Sequence, residues 1–445
     1  MNLNELKHIF FIGIGGIGMS ALARYFNQQK IRVTGYDKTE TELINELLKE
    51  GIEICFKDEV SLIPDNIDLV VYTPAIPVDH RQFNHLKAIP IPMLKRSELL
   101  GEISQGKFTI AIAGTHGKTT ISSIIPHIFK TAGIKISGFV GGISKNYQSN
   151  FIGDADAKVM IVEADEYDRS FLSLLPDISL ISSMDADHLD IYGTKNHLKE
   201  SFSLFAKQLK PNGTLIVNQK IGDEFIGIDH LTYGLNENSD FEVNLSEIKN
   251  HAFHFEIDAG EDFIFRIPGR HNLENAVAAI AVAKAYGIKD EFIKEALHSY
   301  QGVKRRFDII VATDDRTYID DYAHHPEELK ACINAVKEFY PGQKITGIFQ
   351  PHLFTRTRDF ADEFARSLEL LDELILLDIY PAREQELEGI TSSFLLEKIN
   401  LEKKQLLSNE EVLGFVAKQK PSLLLTLGAG DIDKLVKPIK ERIDH

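Results

Sequence analysis

Two glycine-bearing stretches combine residue types that hold phosphate, and each lies between an apolar run and a helical pattern. Ala113-Gly114-Thr115-His116-Gly117-Lys118-Thr119-Thr120 follows the apolar run Phe108–Ala113. In such a loop backbone amides surround the β- and γ-phosphates of a nucleotide, a lysine ammonium neutralises them, and the next hydroxyl ligates Mg²⁺. Gly114, Thr115, His116, Gly117, Lys118, Thr119 and Thr120 are therefore candidate nucleotide-binding residues; Lys118 is also a candidate catalytic cation and Thr119 a candidate metal ligand. The spacing departs from the usual phosphate loop, because Ile112 stands five positions before Gly117 where a glycine is common. The other stretch, Gly13-Ile14-Gly15-Gly16-Ile17-Gly18-Met19-Ser20, also follows a strand-like run. Gly15, Gly16, Ile17 and Gly18 would present helix-start amides and a positive dipole to a diphosphate. Asp37 ends the next strand, where an acidic residue takes a ribose in dinucleotide-binding folds. A glycine turn that serves packing has the same letters, and this motif does not separate NAD from a UDP-sugar.

Further candidates lie at predicted strand ends. Glu163 and His188 stand just past strands of one sheet, the edge where open α/β domains gather ligands. A hard carboxylate oxygen suits Mg²⁺, whereas imidazole prefers softer metals, so His188 alone reads as an ordinary polar residue. Asn272 and Asn275 are three apart and share one side of a helix start, with helix capping as the plain alternative for Asn272. His324 and His325 precede Pro326, which suits the first turn of a helix. A neutral imidazole there can accept a proton from an amine, or serve structure alone.

These positions need a scaffold, and the rest of the chain reads as one. Short β-rich runs alternate with amphipathic helical stretches, the pattern of parallel-sheet α/β domains. With 445 residues the chain exceeds one core, and three blocks are expected: 1–104, 105–302 and 303–445. The first has strands over 8–14, 32–36 and 69–73; the polar run 101–106, bracketed by glycines, reads as a linker. The second restarts with a strand at 108 and closes with helices over 271–286 and 289–300, Gly302 serving as a hinge. Strands over 307–312, 317–320, 345–349, 373–378 and 423–427 make up the third.

A formal net charge of −17 argues against nonspecific nucleic-acid binding, which needs a basic surface, but leaves room for anionic small molecules held by a few amides and cations. No apolar run is long enough to span a bilayer and the start carries no signal-peptide pattern, so no membrane insertion is expected. Cys55 and Cys332 are far apart without metal-ligand spacing and read as reduced core thiols, which favours a cytoplasmic location.

With GTHGKTT at 114–120 and GIGGIGMS at 13–20, the chain resembles the Mur ligases, three-domain ATP-dependent amide ligases. Further short motifs follow in order: Glu163-Ala164-Asp165-Glu166-Tyr167-Asp168, Asp187-His188-Leu189-Asp190, the run 268–276 with Asn272 and Asn275, Lys304-Arg305-Arg306-Phe307, the run 320–326, Gln350-Pro351-His352, and Gly428-Ala429-Gly430-Asp431. The resemblance implies a Rossmann-like first domain for a UDP-sugar, a central ATPase domain of phosphate-loop type, and a Rossmann-like third domain for an amino acid. Implied cofactors are ATP and Mg²⁺; implied substrates are UDP-N-acetylmuramate and L-alanine, joined in peptidoglycan precursor synthesis by a monomer or weak dimer. It also implies Glu163 and His188 as Mg²⁺ ligands, Asn272 and Asn275 on the adenine, Arg306 on the ATP phosphates and Asp321 near the ribose. His324, His325 and His352 fall to the substrates. For Arg305 a solvated surface charge is the alternative. One departure matters: Leu353 stands where the family commonly has arginine, so Arg356 becomes the candidate for carboxylate recognition. Closure on ATP is expected of groups spread over three domains.

Overall fold

The first apolar run ends early, as β1 (His8–Ile12), because Gly13 turns at φ +81°. The turn lets the N–H groups of Gly13 and Ile14 both reach the Tyr36 carbonyl, at 2.8 and 3.1 Å. A positive φ of this kind is open to glycine and strained for other residues. The computed structural model describes residues 3–154, 156–185, 195–235, 238–257, 261–382 and 384–444. Five parallel strands form the first sheet: β1, β2 (Arg32–Tyr36), β3 (Glu53–Cys55), β4 (Leu69–Tyr72) and β5 (Met93–Lys95), in the order β3-β2-β1-β4-β5. Strand order reverses between β1 and β4, and helix α1 (Ile17–Gln28) begins at that switch point.

The second sheet has ten strands: β6 (Phe108–Ala113), β7 (Ile136–Ser144), β8 (Ser149–Gly153), β9 (Val159–Glu163), β10 (Ile178–Ile181), β11 (Thr214–Asn218), β12 (Leu231–Gly234), β13 (Phe241–Lys249), β14 (Ala252–Ile257) and β15 (Glu261–Phe265). Its centre, β11-β10-β6-β9-β7, is parallel, and β8 adds an antiparallel edge. The third sheet, of β16 (Asp308–Ala312), β17 (Thr317–Asp321), β18 (Ile345–Phe349), β19 (Glu373–Leu376), β20 (Lys404–Leu406) and β21 (Leu423–Leu427), runs β16-β17-β21-β18-β19-β20 with β16 antiparallel. Strands 8–14, 307–312 and 373–378 are each shorter at one end than their letters suggest. The chain forms two compact units: residues 1–247, 254–265 and 274–301, and residues 248–253, 266–273 and 302–445.

The run 101–106 is not a linker. Residues 101–105 are the second half of helix α4 and Gly106 is its C-cap; α4 spans Arg96–Gln105, is preceded by α2 (Glu42–Lys49) and α3 (Arg81–Lys87), and buries Leu99, Leu100 and Ile103. That 3–4 spacing of apolar residues starts before the polar run and carries through it. Gly101 is there for close approach: a Cβ would lie 2.6 Å from the Ser173 carbonyl oxygen. Helix α5 (Lys118–Thr131) leaves directly from β6. Cys332 is buried, whereas Cys55 is only half-buried and so not a core thiol; both are free. Among the described residues no helix is long and apolar enough to cross a membrane.

Candidate active site

The loop between β6 and α5 owes its shape to two glycines. Gly114 has φ +132° and Gly117, the N-cap of α5, φ +83°. Neither has room for a side chain: a Cβ on Gly114 would lie 2.1 Å from Ser182 Oγ, and one on Gly117 2.4 Å from Asn275 Oδ1. The end of β10 ties the loop down, since Thr115 N–H donates to the Ser183 carbonyl at 3.2 Å and His116 N–H to Ser183 Oγ at 2.8 Å. Lys118 folds back to donate to the Gly114 carbonyl at 2.6 Å and meets both Glu166 oxygens, at 2.8 and 2.9 Å. Glu166 is fully buried; burial pushes its carboxyl up, and the Lys118 ammonium pulls it back. His116 is half-exposed beside Asp185, at 3.6 Å.

Glu163 closes β9 next to this loop. Thr119 Oγ1 donates to one of its oxygens at 3.3 Å, Ser122 Oγ and Gly141 N–H to the other at 3.2 and 3.1 Å. Gly141 makes that possible, because a Cβ would lie 2.2 Å from Glu163 Oε2. Thr119 and Glu163 thus offer a hydroxyl and a carboxylate oxygen side by side, which fits Mg²⁺, an ion that takes few protein ligands and keeps water and phosphate oxygens for the rest. Among the described residues no cluster of three or more His, Cys, Asp or Glu could hold a metal. His188 and Thr120 fare differently: Thr120 is the third residue of α5, while His188 lies outside the described residues.

In the same unit, Gly16 caps α1 and Ile17 and Gly18 open it. Asp37 braces the loop: Oδ2 accepts from Gly15 N–H at 2.8 Å and Oδ1 from Thr39 N–H at 3.2 Å. A cleft of about 290 Å³ runs from Gly16–Gly18 past Arg96 to Gly141, Glu163 and Asp165. It joins the diphosphate-type loop to the Glu163 carboxylate within one unit. Asn150, fully buried on β8, pins the start of α1 by donating to Ser20 Oγ at 2.8 Å and to the Ile17 carbonyl.

In the second unit β17 ends in two acids. Asp321 accepts from the N–H groups of Phe307 and Ala323, at 2.6 and 2.7 Å, and burial raises its carboxyl to about 6. Arg305 is not a solvated charge: it lies 22% exposed, donates to the Gly428 carbonyl and sits 3.5 Å from buried Asp320. Arg306 lies over the Tyr322 ring, 5.1 Å from its centroid. The His324 ring donates through Nδ1 to the Tyr322 carbonyl at 3.0 Å and has Glu328 at 3.2 Å; burial lowers its pKa. His325 caps the helix Pro326–Phe339, its ring edge-on to Phe360. His352 stacks on Tyr380, faces His324 at 6.0 Å and accepts from Arg356 at 3.3 Å; burial, His324 and Arg356 lower its pKa to about 4. Leu353 holds φ +73°, a strained value for leucine. Asn272 spends its amide on the Pro268 carbonyl at 2.7 Å, whereas Asn275 touches the phosphate loop.

Comparison with known proteins extends over the whole chain. The family models described as Mur ligase family catalytic domain, Mur ligase middle domain and Mur ligase glutamate ligase domain match residues 8–108, 112–283 and 305–430. A UDP-N-acetylmuramate–L-alanine ligase of Christiangramia forsetii is 45% identical over 100% of this chain and 99% of its own length. This chain belongs to the Mur ligase family. A ligase of the same name from Flavobacterium johnsoniae is 44% identical, with both chains fully covered. The crystal structure of the corresponding enzyme from Thermotoga maritima superposes with TM-score 0.85 at 26% identity, over 98% of this chain and 99% of that one. A murein peptide ligase from Psychrobacter arcticus shares the fold, at TM-score 0.68 and 21% identity over 98% of both chains.

Several residues of this Mur ligase that shape the site carry no sequence signal of their own. Glu166 sits in an acidic hexapeptide where any carboxylate reads alike; its zero exposure and its contact with Lys118 are properties of the fold. Ser183, Ser122 and Gly141 matter through distance, which spacing in the chain does not encode. Arg96, at the start of α4, lies close to the run that reads as a linker.

Proposed function

We propose that this Mur ligase uses ATP to join L-alanine to the lactyl carboxylate of UDP-N-acetylmuramate, a step of peptidoglycan precursor synthesis. The observation that carries the reading is that Glu163, which accepts from Thr119 of the Lys118-bearing loop, lines one end of a cleft whose other end is the Gly16–Gly18 turn. Full-length identity of 44–45% to ligases of that name supports the choice of substrates. In this proposal residues 1–104 hold the UDP-sugar, 105–302 the nucleotide and 303–445 the amino acid.

An amide does not form from a carboxylate and an amine in water without activation. The lactyl carboxylate attacks the γ-phosphorus of ATP, the bond to ADP breaks with its electron pair, and an acyl phosphate results. The alanine amine then attacks the acyl carbon, loses a proton, and phosphate departs. No protein nucleophile takes part, so catalysis rests on position and on opposing charge. Lys118 has the reach and charge to hold the β- and γ-phosphates, with Glu166 keeping its ammonium over the loop. Thr119 and Glu163 would hold Mg²⁺, with His188 as the third ligand that the family resemblance implies, and the ion would supply positive charge at the phosphoryl group. Asn275, beside Gly117, suits the adenine, and Arg306 the phosphates from the third domain. His352, neutral at physiological pH, orients the Arg356 guanidinium to which the amino-acid carboxylate is assigned. Either His324 or His325 takes the amine proton.

The test is phosphate release from ATP and Mg²⁺ with UDP-N-acetylmuramate, in the presence of L-alanine, of a preformed tripeptide, or of neither. Release that needs both the UDP-sugar and L-alanine is expected. Release with the tripeptide but not with L-alanine would make the chain a recycling-type ligase, and no release with either amine would sink the substrate assignment.

A further inference from the structure

The cleft that receives the UDP-sugar in the reading above has a charge problem. Glu163 and Asp165 both line it, and an anionic substrate entering would meet two carboxylates. Among the described residues that line it, Arg96 is the one cation. We propose that Arg96 binds an anionic oxygen of the UDP-sugar, with Asp165 holding its guanidinium in the cleft until the substrate arrives.

Three observations carry this. The Arg96–Asp165 contact is 3.4 Å, long against the 2.7–2.9 Å of a charge-assisted bond, so it is readily exchanged. Arg24 in the same unit shows the contrast: it reaches Glu50 through two nitrogens at 2.7–3.1 Å and also engages buried Asn150, as a structural arginine does. Lastly, Arg96 Nη1 lies against the first turn of α1, where a Cβ on Gly18 would be 2.8 Å away. The absence of a side chain at Gly18 thus brings a planar, five-donor fork beside the helix-start amides, geometry that matches carboxylate or phosphate oxygens.

The inference rests on the UDP-sugar reading, and calorimetric titration separates the two. UDP-N-acetylmuramate and UDP-N-acetylglucosamine, which lacks the lactyl carboxylate, are titrated into the wild-type protein, Arg96→Gln and Arg96→Lys. The glutamine variant is expected to bind UDP-N-acetylmuramate about tenfold to a hundredfold more weakly, the range for a lost hydrogen bond to a charged group. Lysine should recover part of that loss, and the KM for ATP and the melting temperature should stay close to wild type. A loss with both sugars assigns the diphosphate to Arg96; a loss confined to UDP-N-acetylmuramate assigns the carboxylate. Unchanged affinity for both sugars in Arg96→Gln overturns the proposal while leaving the ligase reading intact. If the wild-type protein binds neither sugar, both fall.

Discussion

Lys118 carries its charge into a crowded corner, and that shapes what its removal will do. Its ammonium lies 2.8 Å from a carboxylate of zero exposure, so Lys118→Ala strips a buried anion of its cation as well as the phosphates of theirs. Breaking one side of a buried pair costs about 3–5 kcal/mol. We expect Lys118→Ala to abolish phosphate release and also to lower the melting temperature. Adding Glu166→Gln should restore much of the melting temperature and none of the activity; a Lys118→Ala protein that melts like wild type would show that the pairing contributes nothing. Lys118, Thr119 and Glu163 were legible in the sequence because each follows a strand end at a recognisable spacing. Glu166 was not, since what separates it from Asp165 is burial. Asp37 was legible as an acid after β2; that its carboxylate accepts from the Gly15 amide is a contact that residue type and position do not announce.

At the scale of elements, the alternation of apolar strands and amphipathic helices announced all three sheets, and errors clustered where a helix looked polar. Helix α4 is the example: Gly101, read as a linker residue, is packed against the Ser173 carbonyl oxygen. Because that contact is backbone, it cannot rotate away, and Gly101→Ala should cost about 1–3 kcal/mol by overpacking. Urea unfolding would measure it, and a midpoint equal to wild type would mean that α4 shifts freely. Strand β17 makes a pH prediction. Burial lifts Asp320 from its ordinary 3.8 to about 7, so its folded pKa lies above the unfolded one, and its contribution to stability is lost as pH rises through that window. Asp321, raised to about 6, has the same sign, while His352, lowered to about 4, loses stability as pH falls from 6.5. The two trends oppose each other, which flattens the wild-type profile. Asp320→Asn removes the Asp320 share of the first and leaves Asp321 and His352 in place. The difference in unfolding midpoint between Asp320→Asn and wild type should move in favour of the variant as pH rises from about 4.5 to about 7. A constant difference would show that Asp320 keeps an ordinary pKa.

For the whole molecule, the proposed chemistry sets a requirement that neither unit meets by itself. Lys118, Thr119, Glu163 and Arg96 belong to the first unit, whereas Arg306, His324, His352 and Arg356 belong to the second. An amine attacking an acyl phosphate must come within bonding distance of it, so the amino acid held by one unit has to meet the carboxylate held by the other. Binding energy from nucleotide and UDP-sugar is then spent on ordering the two units, the general role of domain closure in enzymes that must exclude water from a reactive phosphate. Gly302 stands where the last segment of the second unit begins, at φ +91°, and a Cβ there would lie 3.3 Å from Ile267 Cδ1. That conformation leaves little freedom for any other residue at the crossover. Small-angle scattering should show a smaller radius of gyration with a non-hydrolysable ATP analogue and UDP-N-acetylmuramate together than with neither. Gly302→Val, which penalises the positive φ, should reduce kcat by more than it changes affinity for UDP-N-acetylmuramate. An unchanged radius with both ligands bound, verified by calorimetry on the same sample, would mean that the units need no rearrangement and that the amino acid reaches the acyl phosphate without closure.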